Sequence, residues 1–237
     1  GAVRLDSLTQ LYSNLKGLFL HVRPRGNRLA IITNGGGPGV MAADRAGDLD
    51  IPLAQLSPHT ISRLGAVLPP HRARENPIDL VGESNPDRYS EALQIVLADE
   101  GVDGVVCLLS PLANSHPDEV AKRIVALRAY SEKPILTCWL GDDLCRAARE
   151  VFVSANIPTL RTPESAVDVF SHISAYYRNQ QLLSQVPAPL GDERPPQVIT
   201  VRHIIDQALQ ERRTTLMRHE ALEGQEHHDG ARVQEFL

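Results

Sequence analysis

Arg28-Leu-Ala-Ile-Ile-Thr33, running straight into Asn34-Gly35-Gly36-Gly37-Pro38-Gly39, decides how this chain folds. The apolar run is too short to be a helix of its own and reads as a strand buried on both faces. The glycines end it abruptly. Pro38 to Asp48 then has the length of a helix, with Val40, Met41 and Ala43 as candidates for its inner face.

Outward from this unit the same alternation repeats. Ile51 to Leu56 reads as a second strand, and Ser57-Pro58 as a cap with proline in the first turn of a helix reaching about Leu68. Pro69-Pro70 stops that helix, and His71 to Gly82 reads as an ordered loop. Asn85-Pro86 repeats the cap signal before a helix through Ala98. Gly104 to Leu109 is the most apolar strand; a helix follows over Pro117 to Tyr130, then a strand over Pro134 to Leu140. Asp142 to Ala155 reads as a helix with acidic residues at its positive end. Ile157 to Leu160 is the fifth strand, and Thr162-Pro163-Glu164 opens a helix reaching about Leu183. Before all of these, Leu8, Leu11, Tyr12, Leu15 and Leu18 recur at helical spacing behind Asp6 and Ser7.

Buried strands each followed by a helix predict an α/β fold: a five-stranded parallel sheet in three α/β/α layers. Right-handed crossovers favour the flavodoxin-like strand order 2-1-3-4-5. The ligand crevice then lies at the C-terminal ends of the first and third strands, between the loops Asn34 to Gly39 and Ser110 to Ser115. Residues 1–186 form this domain; the Pro-rich stretch 187–197 reads as a linker, and 198–237 as a helical extension. Val198 to Leu222 is expected to be one amphipathic helix, with a frayed tail from Glu223. The opening Gly1-Ala2-Val3-Arg4 lacks an initiator Met and reads as mid-protein sequence.

Bulk properties narrow the class. Aromatics make up 4% of the residues, so the core must be aliphatic. A net charge of -5 argues against a nucleic-acid surface. No run reaches the roughly 18 apolar residues of a membrane span. Cys107 and Cys138 sit inside apolar runs and, with Cys145, make an odd count, so the cysteines read as reduced and buried rather than as a disulfide or zinc framework, and the compartment as cytoplasmic. Cys145, near a helix start, is a candidate for a lowered thiol pKa.

Consecutive glycines between a strand and a helix aim backbone N–H groups at one spot, where the helix dipole adds positive potential. Glycine permits positive φ there and lets a phosphoryl group approach the backbone. Asn34, Gly35, Gly36, Gly37 and Gly39 are therefore the candidate phosphate-binding residues; a tight turn that binds nothing is the alternative. A Walker A loop fails, because Gly39 is followed by Val40-Met41 rather than by Lys and Ser or Thr. A dinucleotide fingerprint fails too: Val40 occupies its last glycine position, and Gln55 and Ser57 stand where a ribose-binding acid is wanted. Asn76, Asp79 and Ser110 are candidates to line the crevice, with Asn114 beside them; turn chemistry is the competing reading. Asp44 reads as structural, His116 and His172 as capping or surface residues, His227-His228 as tail, and Trp139 as packing at the end of the fourth strand. No catalytic triad, Cys-His pair or metal-ligand set is visible, so no catalytic or metal residue is assigned.

Leu29 to Gly39, Asp44, Leu68-Pro69, Asn76-Pro77-Ile78-Asp79 and Tyr89 together resemble the NDP-forming acyl-CoA synthetases, relatives of succinyl-CoA synthetase. The likeness continues through Val102 to Val106, Lys133 to Leu136 and Ile157-Pro158-Thr159, and covers about residues 1–190, their second flavodoxin-like domain. Thr137 to Gly141, Phe170 to His172 and Tyr177 to Gln180 are similar to the branch fused to a lysine acetyltransferase, in which the module is regulatory.

The resemblance implies a ligase in which acyl-CoA, NDP and phosphate yield acid, CoA and NTP through a phosphohistidine. Asn34 to Gly37 and the following helix would face that phosphoryl group. The intact enzyme would use CoA, ATP or ADP, and Mg, none of them bound by this domain alone. Its partners would be CoA-binding, phosphohistidine and ATP-grasp domains; self-association stays open, and neither nucleic acid nor membrane is expected. None of the nine histidines lies in the swinging-loop context, and the likeness ends near Leu216 to Ala221, where the ATP-grasp part should begin. The chain is therefore not a complete ligase by itself. The alternatives are a regulatory module of a lysine acetyltransferase and a free-standing phosphate- or nucleotide-binding domain.

Overall fold

A computed structural model describes residues 3–18, 23–69, 75–81, 85–112, 115–185 and 198–221. Two units are present, Gly1–Ser184 and Gln185–Leu237, and each is described by itself. The expected Asn114 and the tail after Leu222 lie outside the described residues.

In the first unit, β1 (Leu29–Thr33), β2 (Ile78–Asp79), β3 (Gly104–Leu109), β4 (Ile135–Trp139) and β5 (Thr159–Leu160) form one parallel sheet, ordered β2-β1-β3-β4-β5. Strand alternation divides the core cleanly. Ala30, Ile32, Val105, Cys107, Leu109 and Trp139 face one layer, built from α3 (Pro58–Val67), α4 (Pro86–Leu97), α5 (Pro117–Arg128) and α6 (Arg146–Ser154). Leu29, Ile31, Val106, Leu108, Leu136 and Cys138 face α2 (Gly36–Asp48) and α7 (Pro163–Leu183). Trp139 is wholly buried, its ring edge-on to Phe152 at 4.7 Å, as expected for a residue packing at the end of a strand.

The expected caps form. Ser57 Oγ accepts from Thr60 N, Asn85 Oδ1 from Asp87 N and Thr162 Oγ1 from Ser165 N, each ahead of a first-turn proline. They fix where three of the helices begin.

The second strand is not where the sequence placed it. Ile51 to Leu56 meets β1 only through the bridge of Leu53 to Leu29, and the pairing strand is Ile78–Asp79, inside the expected loop. Asn76 explains the division. Its Nδ2 donates to Leu29 O (2.7 Å) and Ala54 O (3.2 Å), while its Oδ1 accepts from Ile31 N (2.9 Å). One side-chain amide thus pairs Ile31 N and shares Leu29 O with the Ala54 amide, covering the stretch of β1 between Leu53 and Ile78.

Three helices also differ from expectation. The inner face of α2 is Gly39, Ala42 and Ala46, while Val40 and Met41 are exposed. Asp142 does not open a helix: a 3-10 turn, Asp143–Cys145, precedes α6, and Asp142 instead accepts from Arg149 (3.0 Å) and Arg161 (2.7 Å). In α1 (Leu8–Leu18) Leu8, Leu11, Tyr12 and Leu15 point outward, while Asn14 and Gly17 are buried and Leu18 packs against the core. A Cβ on Gly17 would come within 2.5 Å of Val169 on α7, so close helix contact selects the face with the smallest residue.

In the second unit α8 spans Val198–Gln210, shorter than the single helix expected to Leu222. Arg212 takes a positive φ of 56°, and Arg213 then holds Glu211 and Glu220. No helix among the described residues is long and apolar enough to cross a membrane.

Candidate functional site

The site begins with how β1 ends. Thr33 Oγ1 accepts from Gly35 N (3.0 Å) and donates to Gly35 O (2.7 Å), which folds the chain back as the strand finishes. Gly35 is the N-cap of α2, in extended conformation at φ -139°, and no side chain caps the helix. The first helical bond, from Gly39 N to Gly35 O, measures 3.3 Å. The amides of Gly36 and Gly37 have no hydrogen-bond partner among the described residues.

The glycines differ in what they answer to. A Cβ on Gly39 would meet Thr33 Cγ2 at 2.9 Å, and one on Gly35 would meet Ser110 Oγ at 3.0 Å, so packing demands both. A Cβ on Gly36 or Gly37 would meet nothing within 4 Å. The expectation that these glycines serve positive φ is overturned, since Gly141 is the one described glycine there. What they provide is a bare helix start with open space before it.

Asn34 and Ser110 come together on this edge. Asn34 Nδ2 donates to Ser110 O (2.8 Å) and Ser110 N donates to Asn34 Oδ1 (2.7 Å), joining the loops after β1 and β3. Asp79 pairs in register with Thr33 at the same end of the sheet, and its Oδ1 accepts from Val81 N (2.9 Å). Asn76 is elsewhere: it serves Leu29 and Ile31, roughly 10–16 Å down the strand from Asn34 at the usual rise.

Two supporting residues escaped the sequence reading. In sequence Thr33 reads as the last residue of an apolar run, although a lone hydroxyl ahead of glycines is the signal. Tyr89 stood only as part of a motif. Wholly buried, its hydroxyl reaches Leu108 O (3.0 Å) and Ile32 O (3.4 Å), tying β1 to β3 beneath the two loops. Burial raises its pKa well above the ordinary phenol value, so it stays a neutral donor.

Other candidates resolve as structure. Burial raises the Cys145 thiol rather than lowering it, and its Sγ donates to Leu140 O. Burial likewise lowers the pKa of His172, against the attraction of Asp168 and Asp6. Asp44 is exposed, and His116 precedes α5 without capping it.

Residues 29–184 match the family model described as a Ligase-CoA domain, which covers more than half of the chain. The chain belongs to the Ligase-CoA domain family. It is 34% identical over 176 residues to acetate–CoA ligase [ADP-forming] I of Archaeoglobus fulgidus, covering 74% of this chain and 24% of that protein. It is 35% identical over 170 residues to the alpha subunit of acetate–CoA ligase [ADP-forming] II of Pyrococcus furiosus, covering 69% of this chain and 36% of that subunit. Among solved structures, the Ligase-CoA domain resembles a dinucleotide forming acetyl-coenzyme A synthetase 1 from Ca. Korarchaeum cryptofilum, in complex with phosphate and ADP. That match has a TM-score of 0.71 and 28% identity, over 78% of this chain and 40% of that one. The chain thus spans well under two thirds of each of these relatives.

Proposed function

We propose that this chain serves as one wall of the active site of an NDP-forming acyl-CoA synthetase, where the start of α2 receives a phosphoryl group carried on a histidine of another domain. The observation that carries the reading is the uncapped helix start: the amides of Gly36 and Gly37 have no hydrogen-bond partner among the described residues, and both glycines are exposed, in a chain of the Ligase-CoA family. Two converging amides and the helix dipole hold phosphoryl oxygens without a cation, and without the reorganisation that a flexible lysine would need. The hydroxyl of Ser110 lies beside Gly35, close enough to add a donor. The Asn34–Ser110 and Tyr89 hydrogen bonds act as positioning elements that keep the two loops in register. CoA, nucleotide and Mg fall to other parts of the enzyme in this reading.

The test is Gly36→Val in the intact protein. A Cβ here has room within the chain itself, so the fold should persist while phosphoryl transfer from ATP to the protein is lost. Unchanged transfer would sink the proposal. A second reading, a regulatory module of a lysine acetyltransferase, rests on Thr137 to Gly141, Phe170 to His172 and Tyr177 to Gln180. It predicts that the intact wild-type protein takes no phosphate from ATP at all.

A further inference from the structure

At the opposite edge of the sheet, where the strands begin, two neighbouring cavities of about 380 and 920 Å³ share Arg23, Ser131, Glu132 and Lys133 in their walls. Only three of the chain's 24 lysines and arginines are lysines. Lys16 is exposed on α1, and Lys122 is exposed and sits 3.6 Å from Asp118. Lys133 alone is half-buried, its Nζ donating to Asp99 O at 2.5 Å.

We propose that Lys133 is an acyl-acceptor site, modified by a small acyl phosphate drawn into this cavity. The geometry favours attack. Lys133 lines both cavities, so its side chain borders the space that an acyl phosphate would enter. Anion recruitment falls to the arginines. Arg28 is committed to Asp103 at 2.8 and 2.9 Å, and Arg25 to Glu132 at 3.2 Å. Arg23 lies over the Tyr177 ring, 5.7 Å from its centroid, with no ion-pair partner among the described residues, and Arg128, whose Nη1 donates to the carbonyls of Ala155 and Asn156, lines the smaller cavity with it. Burial favours the neutral amine, as do Arg28 and Arg25, while Asp99 and Asp103 oppose it; the balance lowers the pKa of Lys133. In the reaction the amine nitrogen bonds to the acyl carbon, the carbon–oxygen bond to phosphorus breaks, and phosphate departs with the electron pair. The proton released from nitrogen goes to solvent. The site is separate from the start of α2, so it stands or falls independently of the proposed function.

The experiment incubates the native chain with acetyl phosphate and follows acetylation of the three lysines by mass spectrometry. At about pH 7.5, Lys133 should be acetylated about fivefold or more faster than Lys16 or Lys122, with the ratio shrinking toward about pH 10 as every lysine loses its proton. Inorganic phosphate should slow Lys133 and leave the other two unchanged. Equal rates, or faster labelling of Lys16 or Lys122, overturn the proposal. A preference for Lys133 that phosphate does not touch overturns it as well, because the arginine-lined cavity would then play no part.

Discussion

Asn34 and Ser110 exchange two hydrogen bonds, Nδ2 to the Ser110 carbonyl at 2.8 Å and the Ser110 amide to Oδ1 at 2.7 Å, across the loops that follow β1 and β3. The asparagine is 3% exposed, so its amide is part of the fold.

Asn34→Ala should therefore cost about 2 kcal/mol, because the Ser110 amide and carbonyl both lose a partner at a poorly solvated spot. Ser110→Ala keeps its backbone and should stay within about 0.5 kcal/mol of wild type. Urea unfolding of both variants checks the contrast. Equal losses would show that the Ser110 hydroxyl holds the loop as strongly as the Asn34 bonds to its backbone do.

The glycines make a second, opposed pair. Gly37→Ala meets open space in a helix and should be neutral or stabilise by up to about 1 kcal/mol. Gly39→Ala pushes a methyl against Thr33 Cγ2, 2.9 Å away, and should destabilise by about 1–2 kcal/mol. Thermal unfolding distinguishes them. In the intact protein both should impair phosphoryl transfer, Gly37→Ala without any loss of stability.

Much of this was legible from the chain, for identifiable reasons. Gly104 to Leu109 announced itself because a strand buried on both faces needs unbroken apolar residues, and Ser57-Pro58, Asn85-Pro86 and Thr162-Pro163 announced helices because cap and proline act locally. The second strand was misplaced because its pairing depends on one side chain, Asn76, filling a backbone gap from a distance. Sequence periodicity carries no trace of such a bond. The α1 stripe misled for a related reason: amphipathicity shows which face is apolar, but Gly17 against Val169 determined which face packs. At the site, the glycine run was visible and the Thr33 hydroxyl acts on it locally, whereas the hydroxyl of Tyr89 gained meaning only once β1 and β3 lay side by side.

Asp103 supplies a pH dependence. Desolvation alone would raise its pKa, but hydrogen bonds from the side chain and backbone of Arg28 outweigh it and hold the carboxyl below its ordinary range. A carboxylate with a depressed folded pKa adds stability above its unfolded value of about 3.9 and gives it up as pH falls through the folded pKa. Asp103→Asn should lose about 2 kcal/mol at neutral pH, and the deficit should narrow between about pH 5 and pH 2. Asp99, also held low, should preserve part of the acid slope in that variant. A deficit that is constant with pH in urea titrations would refute the charge-based account.

Thr137 and Thr159 lie opposite each other across β4 and β5, yet their hydroxyls stand differently. Thr137 Oγ1 donates to Pro158 O at 3.0 Å, while Thr159 Oγ1 is buried with no hydrogen-bond partner among the described residues. Valine has nearly the same shape, so exchange isolates the hydroxyl. Thr159→Val removes an unsatisfied group and adds a buried methyl, and should stabilise by about 0.5–1.5 kcal/mol. Thr137→Val gives up a made bond, but Pro158 O keeps the backbone amide of Thr137 at 2.9 Å, so the cost should be under about 1 kcal/mol. Opposite signs in urea unfolding are the expected result. A loss at Thr159 as large as that at Thr137 would mean that its hydroxyl has a partner in solution.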